Sequence, residues 1–157
     1  MNEITLNLLF LVKDNSILLA MKKRGFGMNR FNGVGGKVKP DESIEEALIR
    51  ETKEEIDVIP TKYERVADIL FDEFFRGKPA LMRVHVFISN EWIGEPTESE
   101  EVKPKWFDVN NIPYDQMWPD DRYWLPEVMK GNKITAKFHL NKEDEIISYQ
   151  IKFIEKT

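Results

Sequence analysis

Gly33-Val34-Gly35-Gly36-Lys37 and, after a short loop, Ser43-Ile44-Glu45-Glu46-Ala47-Leu48-Ile49-Arg50-Glu51-Thr52-Lys53-Glu54-Glu55-Ile56-Asp57 form the stretch from which the rest of the chain can be read. Pro40-Asp41-Glu42-Ser43 is a helix entry. Ser43 and Glu46, three residues on, form a capping box, and Pro60 stops the helix near Asp57. The apolar stripe of this helix has a defect: Ile44 and Leu48 are followed, at the next core-facing positions, by Glu51 and Glu55. At about 100° per residue, Glu51, Glu54 and Glu55 fall within a wedge of about 100° of arc, in line with Ile44, Ala47 and Leu48. The helix begins by burying hydrocarbon and ends by pointing three carboxylates one way. Such groups repel, and each is costly to desolvate without positive charge beside it. An oxygen-rich cluster of this kind suits Mg²⁺, with Mn²⁺ as a substitute.

The glycines invite comparison with a phosphate-binding P-loop, and the comparison fails. Phe31 stands where the first glycine of that motif belongs and Val38 where its hydroxyl belongs. The spacing is not that of a dinucleotide-binding turn either. Glycines here serve close approach of backbone to a ligand or metal.

Outward from this stretch, Ile4 to Val12 and Ile17 to Met21 read as a β-hairpin around Lys13-Asp14-Asn15-Ser16. Lys22 to Gly27 is a basic loop, either a solvated turn or a source of cations for phosphates. Tyr63 to Phe75 and Leu81 to Ile88 read as strands around an Arg76-Gly77-Lys78-Pro79 turn. Glu91 to Pro104 is acidic and reads as a loop, and Trp106-Phe107 as a short strand. Trp118-Pro119-Asp120-Asp121 enters a second helix, Asp120 to Met129, where an aspartate in the first turn would cap the helix and face its dipole. Ile134 to Leu140 and Ile146 to Ile154 alternate as a closing hairpin. The pattern predicts a single domain over residues 1–157, of α+β class: a mixed sheet with two main helices, arranged as an α/β/α sandwich.

Composition narrows the function. The chain has 157 residues, 41% hydrophobic and 32% charged, an ordinary globular balance. No apolar run approaches the roughly 20 residues of a membrane span. With no cysteine there is no disulfide, thiol nucleophile or cysteine-based zinc site. The net charge of −5 opposes polymeric nucleic acid as a partner but leaves room for a small polyanion held by local cations or a metal. A cytoplasmic monomer is the expectation, with mitochondrial or nuclear pools open.

From Gly36 the sequence runs Gly36-x5-Glu42-x7-Arg50-Glu51-Thr52-x-Glu54-Glu55-x-Asp57-Val58. This resembles the Nudix box, G-x5-E-x7-R-E-U-x-E-E-x-G-U, where U is a bulky aliphatic. Two positions depart. Thr52 replaces an aliphatic, at an expected packing cost, and Asp57 replaces the glycine after the helix, where aspartate tolerates left-handed geometry better than most residues. The likeness is denser to one branch, the eukaryotic MutT-type oxidised purine nucleoside triphosphatases (8-oxo-dGTP diphosphatases). It runs through Met21-Lys-Lys-Arg-Gly-Phe-Gly27, Asn32-Gly33, Leu81-Met82, Val84-His-Val-Phe87, Trp106-Phe107 and Met117-Trp-Pro-Asp-Asp-x-Tyr-Trp124.

The resemblance implies a Nudix fold and Mg²⁺-dependent hydrolysis of a nucleoside triphosphate to the monophosphate and pyrophosphate. It implies a metal held by Glu51, Glu54, Glu55, the Gly35 carbonyl and Glu101, with Glu98 and Glu100 as near alternatives to the last. Arg50 would orient a box carboxylate, Glu42 or Glu54, and Lys22 would add a phosphate contact. For the base, the indole of Trp118 offers a flat surface, Asn32 a donor and an acceptor, and Asp120 with Asp121 a carboxyl pair able to hold one proton between them. Phe26, Phe71, Met82 and Trp124 would wall the pocket. Asn7 stands where the branch commonly has a smaller hydroxyl residue. The competing readings are a Nudix hydrolase of another nucleoside diphosphate derivative, such as a dinucleoside polyphosphate or cap, and a non-catalytic nucleotide-binding module.

Overall fold

The run Leu8-Leu9-Phe10-Leu11-Val12 has no polar alternation because it is buried on both faces, as an interior strand flanked by helices must be. In the computed structural model, which describes residues 3–154 apart from the Phe75 side chain, this run is the middle of β1 (Glu3–Lys13). β2 (Ser16–Lys22) returns antiparallel through Asp14 and Asn15, at φ 52° and 65°, the left-handed pair a tight hairpin turn requires. A two-residue strand, β3 (Phe31–Asn32), pairs β2. Then come α1 (Ile44–Ile56), β4 (Ile59–Phe75), β5 (Lys78–Ile93), β6 (Val102–Asp108), a 3₁₀ turn at Tyr114–Gln116, α2 (Asp121–Met129), β7 (Ile134–Leu140) and β8 (Ile146–Phe153).

The strands form one mixed sheet of eight. Its order is β3-β2-β1-β5-β4-β7-β8, with β6 on the other edge of β2. The β1–β5 and β4–β7 pairs are parallel and the rest antiparallel. Side chains alternate across each strand, so β1 feeds two cores. Leu9 and Leu11 go to one, with Leu18, Phe87 and, from α1, Leu48 and Ile56. Phe10 goes to the other, with Ile17, Ile69, Phe138 and, from α2, Trp124, Leu125 and Val128. One helix on each face gives the expected sandwich.

Several strands are longer than expected: β4 starts at Ile59 instead of Tyr63 and β5 at Lys78 instead of Leu81, and β3 is not anticipated by the sequence. The antiparallel pair β4–β5 runs to Ile93, and β6 begins at Val102. Both ends of the supposed Glu91–Pro104 loop are therefore strand, because Trp92 and Val102 are drawn in by the α1-side core. Thr52 is fully buried, and its hydroxyl donates to the Leu48 carbonyl at 2.8 Å. Its polar atom is satisfied within the helix, which limits the expected cost.

Candidate active site

Why the glycines are needed is visible in the path of the backbone. The segment after β3 runs antiparallel beside β1: the Leu9 and Val34 amides donate to each other's residue carbonyls at 2.6 and 2.9 Å, and the Asn7 amide donates to Gly36 O at 2.9 Å. A Cβ on Gly35 would lie 1.9 Å from the Asn7 carbonyl oxygen, and one on Gly36 would lie 2.6 Å from Cδ of Glu51. These glycines let a strand edge and a helix carboxylate close on the same backbone.

α1 begins with the full capping box, Ser43 Oγ accepting from the Glu46 amide and Glu46 accepting from the Ser43 amide. It ends with Asp57 at φ 58°, the left-handed position anticipated for it. The three glutamates of the acidic wedge have different environments. Glu55 is buried, Glu51 half-buried against Gly36, and Glu54 exposed. Arg50 holds the set together. Its Nε and Nη2 fork Glu42 at 2.6 and 2.9 Å, Nη1 donates to Glu51 at 2.8 Å and Glu54 at 3.2 Å, and Nη2 also reaches the Lys37 carbonyl. The guanidinium beside Glu42 holds that carboxyl down at about 2.

Glu55 is pushed the other way, to about 8. Burial is the main cause, and the charges of Glu51 and Glu101 add to it, against Lys22 and the Gly35 amide that donates to it. Glu101 accepts from Lys22 Nζ at 3.1 Å and Arg24 Nε at 2.8 Å. Glu98 is held on Lys23, and Glu100 pairs with Arg24 at 3.5 Å while largely exposed. Of the three, Glu101 is the one whose charge acts on Glu55. Among the described residues no three acidic or histidine side chains are already gathered as a cage. The donors nonetheless suit a hard divalent ion. A buried carboxylate with two acidic neighbours is a site whose charge a cation would relieve. Glu51, Glu55, Glu101 and the Gly35 backbone could hold it, with Glu54 turning in from the surface.

Beside this acidic face opens a cavity of about 330 Å³. Asn7, Lys22, Phe26, Asn32, Gly35, Glu55, Phe71, Met82, Trp118, Asp120, Asp121 and Trp124 all line it. Arg50, Glu51, Glu54 and Glu101 are not part of its lining. Among the described residues four buried side-chain polar atoms lack a hydrogen-bond partner. Three of them, Asn7 Oδ1, Arg30 Nη1 and Asp121 Oδ2, belong to residues that line this one cavity. Buried polar atoms are normally satisfied, so two acceptors and a donor left open together mark the place of a polar ligand.

The aspartate pair does more than the expected capping. Asp120 occupies the cap position of α2 without a side-chain cap bond. Instead its Oδ2 accepts from the indole of Trp124 at 2.7 Å, inside the protein. Both carboxyls are pushed up by burial. Asp121 lies well above the usual range, the Asp120 charge adding to burial, and the two are hydrogen-bonded to each other. A carboxyl pair so placed is able to share a proton and to offer either a donor or an acceptor. Trp118 is less open than a bare stacking surface. Arg30 Cζ lies 4.1 Å from its ring centroid, and Phe26 is 4.9 Å away at 34°.

Two residues lining the cavity with Asp120 and Asp121 escaped the sequence reading. Glu73 follows Phe71 by two in β4 and so faces the same side; extending the alternation past Phe71 would have found it. Arg30 precedes β3 by one residue and carries no motif, so only the folded loop brings it over Trp118.

A carboxylate-bearing helix laid against a glycine strand, beside a cleft with unpartnered polar groups, defines a class of nucleotide hydrolase. The NUDIX domain family model matches residues 3–128, and the chain belongs to the Nudix family, whose hydrolases use divalent metal ions. The mouse (Mus musculus) oxidized purine nucleoside triphosphate hydrolase is 40% identical over 148 residues, 94% of each chain. Its zebrafish (Danio rerio) namesake is 39% identical over 150 residues, 96% of this chain and 95% of the relative. The crystal structure of the mutator MutT protein of Bacillus halodurans superposes with a TM-score of 0.84, covering 95% of this chain and 97% of its own at 24% identity, and so shares the fold.

Proposed function

We propose that this protein is an oxidised purine nucleoside triphosphate pyrophosphohydrolase that uses Mg²⁺, converting substrates such as 8-oxo-dGTP and 2-oxo-dATP to the monophosphate and pyrophosphate. Such an activity removes mutagenic nucleotides from the pool before they reach DNA. The observation that carries the reading is the joining of two half-sites in one cavity. Glu55, Lys22 and the glycine strand are at one end, and the proton-sharing Asp120–Asp121 pair is at the other. The resemblance to the mouse and zebrafish hydrolases over nearly the full chain supports the same substrate class.

Oxidation at C8 of guanine turns N7 from an acceptor into an N–H donor and adds an acceptor oxygen. A carboxyl pair with one proton can meet either pattern, and Asn32 supplies a further donor and acceptor. At the other end Lys22 lies where it can meet phosphate, and Arg50 fixes Glu51 and Glu54. Glu55 stands where it can take a proton from an attacking water once ionised. A bound divalent ion supplies charge neutralisation for the triphosphate and a lowered pKa for water. The acidic surface favours free nucleotides over polymeric nucleic acid, and we take the protein to act as a cytoplasmic monomer.

The test is a panel of oxidised, methylated and normal nucleoside triphosphates with Mg²⁺, separating pyrophosphate from orthophosphate. Pyrophosphate release with at least a ~10-fold preference in kcat/KM for an oxidised purine is expected. Equal turnover across the panel, or orthophosphate release, overturns the proposal.

A further inference from the structure

The base end of the cavity contains a third carboxyl that the reading above does not use. Glu73 projects from β4 on the face of Phe71, is 5% exposed, and lines the cavity together with Asp120 and Asp121. It makes no side-chain hydrogen bond among the described residues, although its acidic neighbours include Asp120 and, from the β7–β8 turn, Asp144. Burial pushes it up to about 7, with the charges of Asp120 and Asp144 adding to that. The cation lining this end is Arg30, which already faces Trp118 and lies 3.7 Å from Asp144. A buried carboxyl without a hydrogen-bond partner costs stability, and a ligand that donates to it offsets that cost.

The partner it needs is defined by its chemistry and place. The aspartate pair enters from the start of α2, whereas Glu73 enters from the sheet, so the two address a bound base from different elements. When ionised, a carboxyl accepts and does not donate; an N–H donor bound to it favours that form, and hydrogen bonds to charged groups are the stronger ones. We propose that Glu73 is a specificity-determining residue that accepts a hydrogen bond from the exocyclic amino group of the substrate purine. The pocket then favours amino-bearing oxidised purines and rejects counterparts with a hydrogen or a carbonyl at that position. A carbonyl there would face the carboxyl oxygen to oxygen, and a hydrogen would leave it unpaired. This rests on the base-site assignment made above.

The experiment compares kcat/KM within two matched pairs: 8-oxo-dGTP against 8-oxo-dITP, which lacks the 2-amino group, and 2-oxo-dATP against dXTP, in which the 6-amino group is a carbonyl. Wild type, Glu73→Leu, Glu73→Gln and Asp120→Asn are measured, each checked for a cooperative melt. In at least one pair Glu73→Leu is expected to cut the preference for the amino-bearing member about 10- to 100-fold. Glu73→Gln, which keeps an accepting oxygen, is expected to fall between. If Asp120→Asn weakens all four substrates while both pair ratios in Glu73→Leu equal those of wild type, the assignment of Glu73 is overturned and the base site stands. If Asp120→Asn leaves all four substrates unaltered, the base-site assignment fails and the proposal with it.

Discussion

Replacing Glu55 by glutamine should stabilise the metal-free protein in alkali while removing its turnover. In the fold Glu55 protonates near 8 instead of near 4.5, burial being the main cause. The folded state therefore binds the extra proton between those values. The Glu55 contribution to wild-type stability falls as pH rises from about 4.5 to about 8, and is flat beyond. At about 1.4 kcal/mol per pH unit the fully ionised side chain costs about 5 kcal/mol. Local relaxation and water entry absorb part of this. Half of it, about 2.5 kcal/mol, corresponds to about 5–10 °C in melting temperature for a domain of this size. A near-isosteric, neutral Glu55→Gln side chain escapes the cost. Melting curves of both proteins with a chelator at pH 5 and pH 9 should show little difference at the lower pH and a higher midpoint for the variant at the upper one. Adding Mg²⁺ at pH 8 should raise the wild-type midpoint through binding linkage and leave the variant nearly unmoved. A variant no more stable than wild type at pH 9, or stabilised equally at both pH values, would refute the assigned burial cost.

Arg50→Ala should lower kcat by about 10- to 100-fold, the scale seen when a residue orienting metal ligands is lost, because Glu42, Glu51 and Glu54 all lose their common partner. Arg50→Lys should not restore it, since an ammonium cannot fork Glu42 while reaching Glu51; steady-state kinetics across a Mg²⁺ titration decide this. Trp118→Ala should weaken oxidised-purine binding by about 10-fold with no change in Mg²⁺ affinity, checked by calorimetry with each ligand alone. Gly35→Ala drives a Cβ against the Asn7 carbonyl and should cost about 1–3 kcal/mol or more, read as a lowered urea midpoint; an unchanged midpoint would mean the strand beside β1 can shift freely.

Much of this site was legible before folding was considered. The spacing from Gly36 to Asp57 placed a helix, its cap and its acidic face, because those features depend on neighbours three and four residues apart. The carboxylates' different fates were not legible. Glu51, Glu54 and Glu55 share one wedge of the helix, yet the glycine strand and the β6 loop, distant in sequence, decide which is buried and which faces water. Asp120 was readable as the start of a helix but not as the acceptor for Trp124, since only the tertiary core makes that indole need a partner. Glu73 shares the face of Phe71 by strand alternation, but only the cavity shows that this face carries a buried carboxyl.

Asn7 sits between the two ends of the site. Its amide holds Gly36 at 2.9 Å, its Nδ2 donates to the Ile44 carbonyl at 2.6 Å in the first turn of α1, and its Oδ1 belongs to the cavity lining. The Asn7 part of the cavity lining is therefore fixed to the glycine strand and to the start of α1 rather than carried on a loop. A change at position 7 would be felt twice, in the cavity wall and in the seating of the helix that carries the carboxylates.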